Sequence, residues 1–218
     1  MEKLTLYHYW RSTSAWRVRW AMAYKDITPK FVPIGLLDGE AESEAHRARN
    51  PLGYVPVLEF PEEKDPSRRY LVESLPIIEY LEEVSPQKPL LPTNSRDRAH
   101  VRALAETINA GTQAVQNLTV QIYLAPDSDP DHAAKRKAWA FHWITHGLEA
   151  YEILAAKRSG KFSFGDSLTL ADLFLVPQCY GAIRNEISFA HLPTVARAYA
   201  NALETESYLA SEPERFKP

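Results

Sequence analysis

The sequence predicts a small α/β domain followed by an all-α domain, and three observations carry that prediction. Residues 1–84 alternate strand-like and helix-like runs. A proline-rich connector, "SPQKPLLPTN", fills residues 85–94. Beyond it only long helical patterns recur, with no strand-like alternation. A chain that changes texture in this way reads as two domains, here residues 1–84 and 95–218.

Each element of the first domain has its own signal. In "KLTLYHYW", Leu4 and Leu6 alternate with Thr5 and Tyr7, the period-2 pattern of a strand. "AWRVRWAMAYK" puts Ala15, Val18 and Met22 on one helical face and leaves Arg17 and Arg19 off it. "KFVPIGL" is a second strand, at a sheet edge if Pro33 lies within it. The polar "DGEAESEAHRARN" is partly helical. "VPVLEF" and "RRYLVE" flank the turn-rich "PEEKDPS" as a hairpin, and "SLPIIEYLEEV" closes the unit as a helix with Ser74 as its N-cap. In the second domain, "RDRAHVRALAETINAGTQAVQNL" and "AAKRKAWAFHWITHGLEAYEILAAK" are long helices, and Thr169 with Asp172 forms a capping box before a buried one.

Composition narrows the function classes. With 25 Lys and Arg against 28 Asp and Glu, the net charge of -3 and the lack of a dense basic block argue against a nucleic-acid partner. No apolar run approaches membrane-spanning length and no signal-peptide pattern opens the chain, so no membrane association is expected. The single cysteine, Cys179, excludes an internal disulfide framework and a CxxC redox pair. The expectation is a soluble protein of a reducing, cytoplasmic compartment, with no metal.

Three stretches bear on chemistry. "WRSTSAWRVRW" sets Ser12, Thr13 and Ser14 at a strand-to-helix junction, where hydroxyls serve as caps or as donors to an anion. In "NPLGYVPVLEF", a cis bond between Val55 and Pro56 would expose the Val55 amide and carbonyl to an extended peptide. In "VESLPIIEYLEE", Glu73 and Ser74 begin a helix. They read either as a cap with an acidic neighbour or as a paired site for a carboxylate and an amine.

Together these residues resemble the glutathione transferase superfamily and, within it, the zeta class that includes maleylacetoacetate isomerases. "WRSTSAWRVRWAM", "NPLGYVPVL", "ESLPIIEYLEE", "LLP", "AVQNLTV" and "FGDSLTLADLFLVPQ" fall in the family's order and span nearly the whole chain. The resemblance implies a thioredoxin-like first domain, a helical second domain, glutathione as cofactor and a homodimer. It implies glutathione contacts from Ser12, Val55, Pro56, Glu73, Ser74, Gln116 and Asn117, with the catalytic hydroxyl among Ser12, Thr13 and Ser14. It also implies that Arg184 binds a small dicarboxylate or other electrophilic substrate; Arg11, which directly precedes the hydroxyl cluster, is the second candidate, and a solvated surface arginine is the alternative for either.

The chain departs from the zeta pattern in two places. Ser14, or Thr13 in a shifted register, stands where the motif has cysteine, and Tyr54 replaces a more usual amide. The implied activity is glutathione-dependent cis-trans isomerisation of the maleylacetoacetate type. Its rivals are isomerisation of maleylpyruvate, conjugation or dehalogenation of small α-halo acids, and a non-catalytic binding or scaffolding role on the same fold.

Overall fold

The computed structural model describes residues 3–218; the first two residues of the expected first domain lie outside them. By internal contacts the chain divides into two compact units. One comprises residues up to Pro89 together with Thr205–Pro218, and the other Leu90–Glu204.

The first unit is built on four strands, β1 (Thr5–His8), β2 (Lys30–Pro33), β3 (Val57–Glu59) and β4 (Tyr70–Val72), in the order β2-β1-β3-β4. β1 runs parallel to β2, from Thr5 opposite Lys30 to His8 opposite Pro33, and antiparallel to β3, which pairs in turn with β4 as a hairpin. Pro33 ends the edge strand, where its missing donor costs little. Helix α1 (Thr13–Tyr24) crosses between β1 and β2, α2 (Glu44–Arg47) is one short turn, and α3 (Ser74–Val84) follows the hairpin.

Two expectations about this unit are corrected. Arg17 and Arg19, placed off the buried face of α1, are 0 % and 1 % exposed. The reason is a second cover on that helix. Thr205–Pro218, expected in the helical domain, contains α10 (Glu206–Ser211) and belongs to the first unit. The Trp16 and Trp20 indoles donate to Ser211 Oγ and Ser207 Oγ, and both rings meet Tyr208. A helix covered on both sides buries its polar positions too, and a buried guanidinium must then find acceptors. Arg19 donates to the carbonyls of Tyr9, Trp10 and Ser211 and lies 4.6 Å from the Phe216 ring centroid. Lys25 places its three protons on the carbonyls of Ser85 and Lys88 and on Glu82.

The second correction concerns Ser74, which is the first helical residue of α3, not its cap. Glu73 occupies the cap position, with φ 70°, ψ 131° and no side-chain capping bond.

The second unit is helical: α4 (Ser95–Ile108), a π-turn over Asn109–Gln113, α5 (Ala114–Gln116), α6 (Leu118–Leu124), α7 (His132–Ala155), α8 (Leu170–Arg184) and α9 (Pro193–Leu203). The apolar α8 is its core, buried from Leu170 through Cys179. The expected capping box fixes its start. Asp172 accepts from the Thr169 amide and hydroxyl and, through its other oxygen, from the Ser163 amide. The long helical run 95–116 is interrupted at the π-turn, where Thr112 closes against Gly147 of α7. A Cβ on Gly147 would stand 2.0 Å from Thr112 Oγ1, so only glycine lets the two segments approach. No helix among the described residues is long and apolar enough to cross a membrane.

Candidate active site

In the first unit, the turn after β1 delivers Ser12 to the N-terminus of α1. Ser12 is extended (φ -69°, ψ 119°), its amide donates to the Tyr9 carbonyl, and its Oγ accepts from the Ala15 amide at 3.1 Å. The cap therefore uses an oxygen lone pair and leaves the hydroxyl proton available to an anion. Thr13 and Ser14 are the first two helical residues, half-buried beside it. Arg11 is half-buried, with its guanidinium carbon 5.5 Å from the Trp10 ring centroid. The carbonyls of Tyr9 and Trp10, just ahead of this turn, are held from below by Arg19.

Val55 precedes a cis proline bond and is buried in a cluster with Tyr7, Ala15, Ile34, Ala41 and Val57. Its amide and carbonyl make no hydrogen bond among the described residues. The neighbouring Tyr54 carbonyl, by contrast, is taken twice, by Asn50 Nδ2 at 3.0 Å and by the His46 ring at 3.1 Å. The unpaired backbone edge is thus narrowed to Val55. Glu73 is exposed and holds a left-handed φ that only glycine adopts without strain. Ser74 is buried, and its Oγ accepts from Arg17 at 3.2 Å. A buried cation therefore stands directly behind the serine at the start of α3.

The helical unit places its expected residues differently. Gln116 and Gln178 exchange reciprocal amide hydrogen bonds at 3.1 and 3.2 Å, and Gln178 is fully buried. The Gln116 carbonyl also accepts from Gln121. Asn117 caps α6, accepting from the Thr119 amide at 3.0 Å and keeping its Nδ2. Arg184 is exposed in the last turn of α8, 5.8 Å from the Tyr180 ring centroid. It lines a cleft of about 390 Å³ with Gln121, Arg136, Lys137, Asn185 and Glu186. Cys179 lies on the same helix but is fully buried, and burial pushes its thiol pKa far up. It therefore cannot replace the cysteine missing from the opening motif.

A family model described as the glutathione S-transferase N-terminal domain matches residues 6–89. The maleylacetoacetate isomerase of Dictyostelium discoideum is 37 % identical over 214 residues, covering 97 % of this chain and 94 % of that protein. The chain belongs to the zeta class of the glutathione transferases. Among solved structures of this class, the maleylacetoacetate isomerase of Anaeromyxobacter dehalogenans, with glutathione bound in its active site, is 41 % identical. It superposes with a TM-score of 0.87 and covers 99 % of this chain and 97 % of its own. A bacterial maleylpyruvate isomerase of the zeta class is 34 % identical with a TM-score of 0.86, over 96 % of each chain.

Arg19, Asn50, His46, Arg136 and Lys137 were not singled out by the sequence. The first three act through backbone carbonyls, which no side-chain pattern announces. The last two sit in "AAKRKAWAF", where a basic run at a helix start reads as solvated surface.

Proposed function

We propose that this zeta-class glutathione transferase is a glutathione-dependent cis-trans isomerase of the maleylacetoacetate type, acting as a cytoplasmic homodimer. The geometry of Ser12 carries the reading. Its oxygen accepts the cap bond from the Ala15 amide, which leaves its proton free to be donated to an anion at the positive end of a twelve-residue helix.

Bound glutathione supplies a thiolate that adds reversibly to the conjugated double bond, which then turns as a single bond before the thiolate leaves. A cysteine-like thiol with a pKa of about 8.5 is only slightly ionised near neutrality, and lowering it by two units requires about 2.7 kcal/mol. One hydroxyl hydrogen bond to an anion together with the helix dipole reaches that order. Ser12 is therefore the donor to the sulfur, and Thr13 and Ser14 line the same helix start. The unpaired Val55 backbone would pair with the cysteinyl residue of glutathione. Glu73 would take the γ-glutamyl amine, and the start of α3 at Ser74 would take its carboxylate, with Arg17 reinforcing the charge from behind. In the helical unit, Arg184 would bind a substrate carboxylate through its fork. Asn117 Nδ2 and Arg11 remain polar donors for glutathione and substrate respectively.

The test is glutathione-dependent isomerisation of maleylacetoacetate measured beside maleylpyruvate and a small α-halo acid. Isomerisation of the first acid at the highest kcat/KM supports the proposal. Preference for the second acid favours the maleylpyruvate reading, which the 34 % identical isomerase supports. Release of halide without isomerisation refutes the proposal.

A further inference from the structure

The cleft beside Arg184 is lined by three cations drawn from two helices. Arg136 and Lys137 reach it from the first turns of α7 and Arg184 from the end of α8; Glu186 is the acid in the lining, and Asp127 pairs with Arg136 beside it. Arg136 is rigidly held, its Nε donating to the Ala125 carbonyl and its Nη2 to Asp127, each at 2.8 Å. Its side chain is only 16 % exposed, and Nη1 is unclaimed among the described residues. Lys137 is instead exposed, with its ammonium 2.6 Å from Glu186 Oε2. That ammonium's hydrogen bond and charge hold the Glu186 carboxyl below the usual carboxylate range, so it is ionised at neutral pH.

Glu186 also has a backbone that glutamate disfavours, with φ 60° just past the end of α8. Glycine serves this left-handed position at a helix end without strain. An exposed ion pair adds little to stability, so stability does not account for an acid kept in a strained backbone opposite a lysine.

We infer that this cleft is a carboxylate-binding subsite in which Glu186 is the resident counter-anion, displaced from Lys137 when a carboxylate of a small diacid enters. Arg136 then provides a fixed second donor and Lys137 an adaptable one. Exchange of one carboxylate for another at Lys137 leaves the net charge of the pair unchanged, and the exposed position of Glu186 lets it swing into water. That the incoming carboxylate belongs to the isomerised substrate rests on the function proposed above; the subsite itself does not.

Malonate is the probe, titrated calorimetrically into the full chain at low ionic strength with glutathione present. Glu186→Gln should bind malonate about two- to fivefold more tightly, a modest factor because the ion pair it removes is exposed. Lys137→Met should weaken it by at least the same factor. Glu186→Gly should also bind more tightly and melt at a higher temperature, because it removes both the acid and the left-handed strain. In kinetics, KM for a diacid should follow the malonate affinities while KM for glutathione stays constant. Equal malonate affinity in the wild type, Glu186→Gln and Lys137→Met, or no saturable binding, overturns the subsite. If malonate follows the expected order but no diacid is isomerised, the isomerase reading falls and the subsite stands.

Discussion

The two units use their cations in opposite ways. In the first, Arg17, Arg19 and Lys25 are all at most 4 % exposed, and their partners are mostly backbone carbonyls and one serine. In the second, Arg184 and Lys137 are exposed at a cleft. A buried cation held by backbone carbonyls, as Arg19 and Lys25 are, shapes the chain around it. An exposed one contributes almost nothing to folding, and water competes for whatever pairing it makes, as for Lys137 with Glu186. These cations of the first unit are thus built into its fold, and those of the second are left at a surface cleft. Each half also carries one left-handed glutamate at a helix end, Glu73 before α3 and Glu186 after α8.

The sharpest way to break this contrast is to remove one cation from each side. Arg19→Met strands the carbonyls of Tyr9, Trp10 and Ser211 and should cost about 3 kcal/mol or more of unfolding free energy. Lys137→Met should stay within about 0.5 kcal/mol. Denaturant midpoints read both, and equal losses would erase the distinction.

A similar magnitude is expected from pH. Burial, aided by the charge of Arg19, lowers His8 from 6.5 to about 4, and its ring nitrogen lies 3.3 Å from Arg19 Nη1. The unfolded chain takes up this proton near pH 6.5 but the folded one only near 4. The contribution of His8 is therefore complete above 6.5 and is lost as pH falls toward 4, by about 3 kcal/mol. His8→Asn should flatten that part of the stability profile; an unchanged slope would show that the ring is not held neutral by the fold.

Smaller effects separate capping from catalysis at the site. Ser12→Gly keeps a tolerated cap residue and should cost only a few tenths of a kcal/mol in stability. It removes the hydroxyl, so turnover should drop at least tenfold, about 1.4 kcal/mol, with a raised pKa in the rate profile. Full activity in Ser12→Gly would transfer the donor role to Thr13 or Ser14. Smallest of all, Glu73→Gly should stabilise the fold by about 0.5–1 kcal/mol by relieving its φ of 70°. The same change should raise KM for glutathione with little change in kcat at saturation. A stabilised variant with unchanged KM would make Glu73 a matter of backbone alone.

Local pattern alone determined much of this protein. The alternation in "KLTLYHYW", the edge strand ending at Pro33, the hairpin around "PEEKDPS", the Thr169–Asp172 capping box and the helix start at Ser12 all depend on neighbours a few residues apart, which sequence displays directly. What covers an element does not. Arg17 and Arg19 looked like a solvent face because their cover, Thr205–Pro218, lies almost two hundred residues downstream. Ser74 looked like a cap because Glu73 was not expected to enter the left-handed region. Lys137 and Glu186, 49 positions apart, became one site only when α7 and the end of α8 came together. Periodicity encodes which face of an element is apolar, whereas burial of a charge and convergence of distant side chains follow from packing, which only the tertiary structure decides.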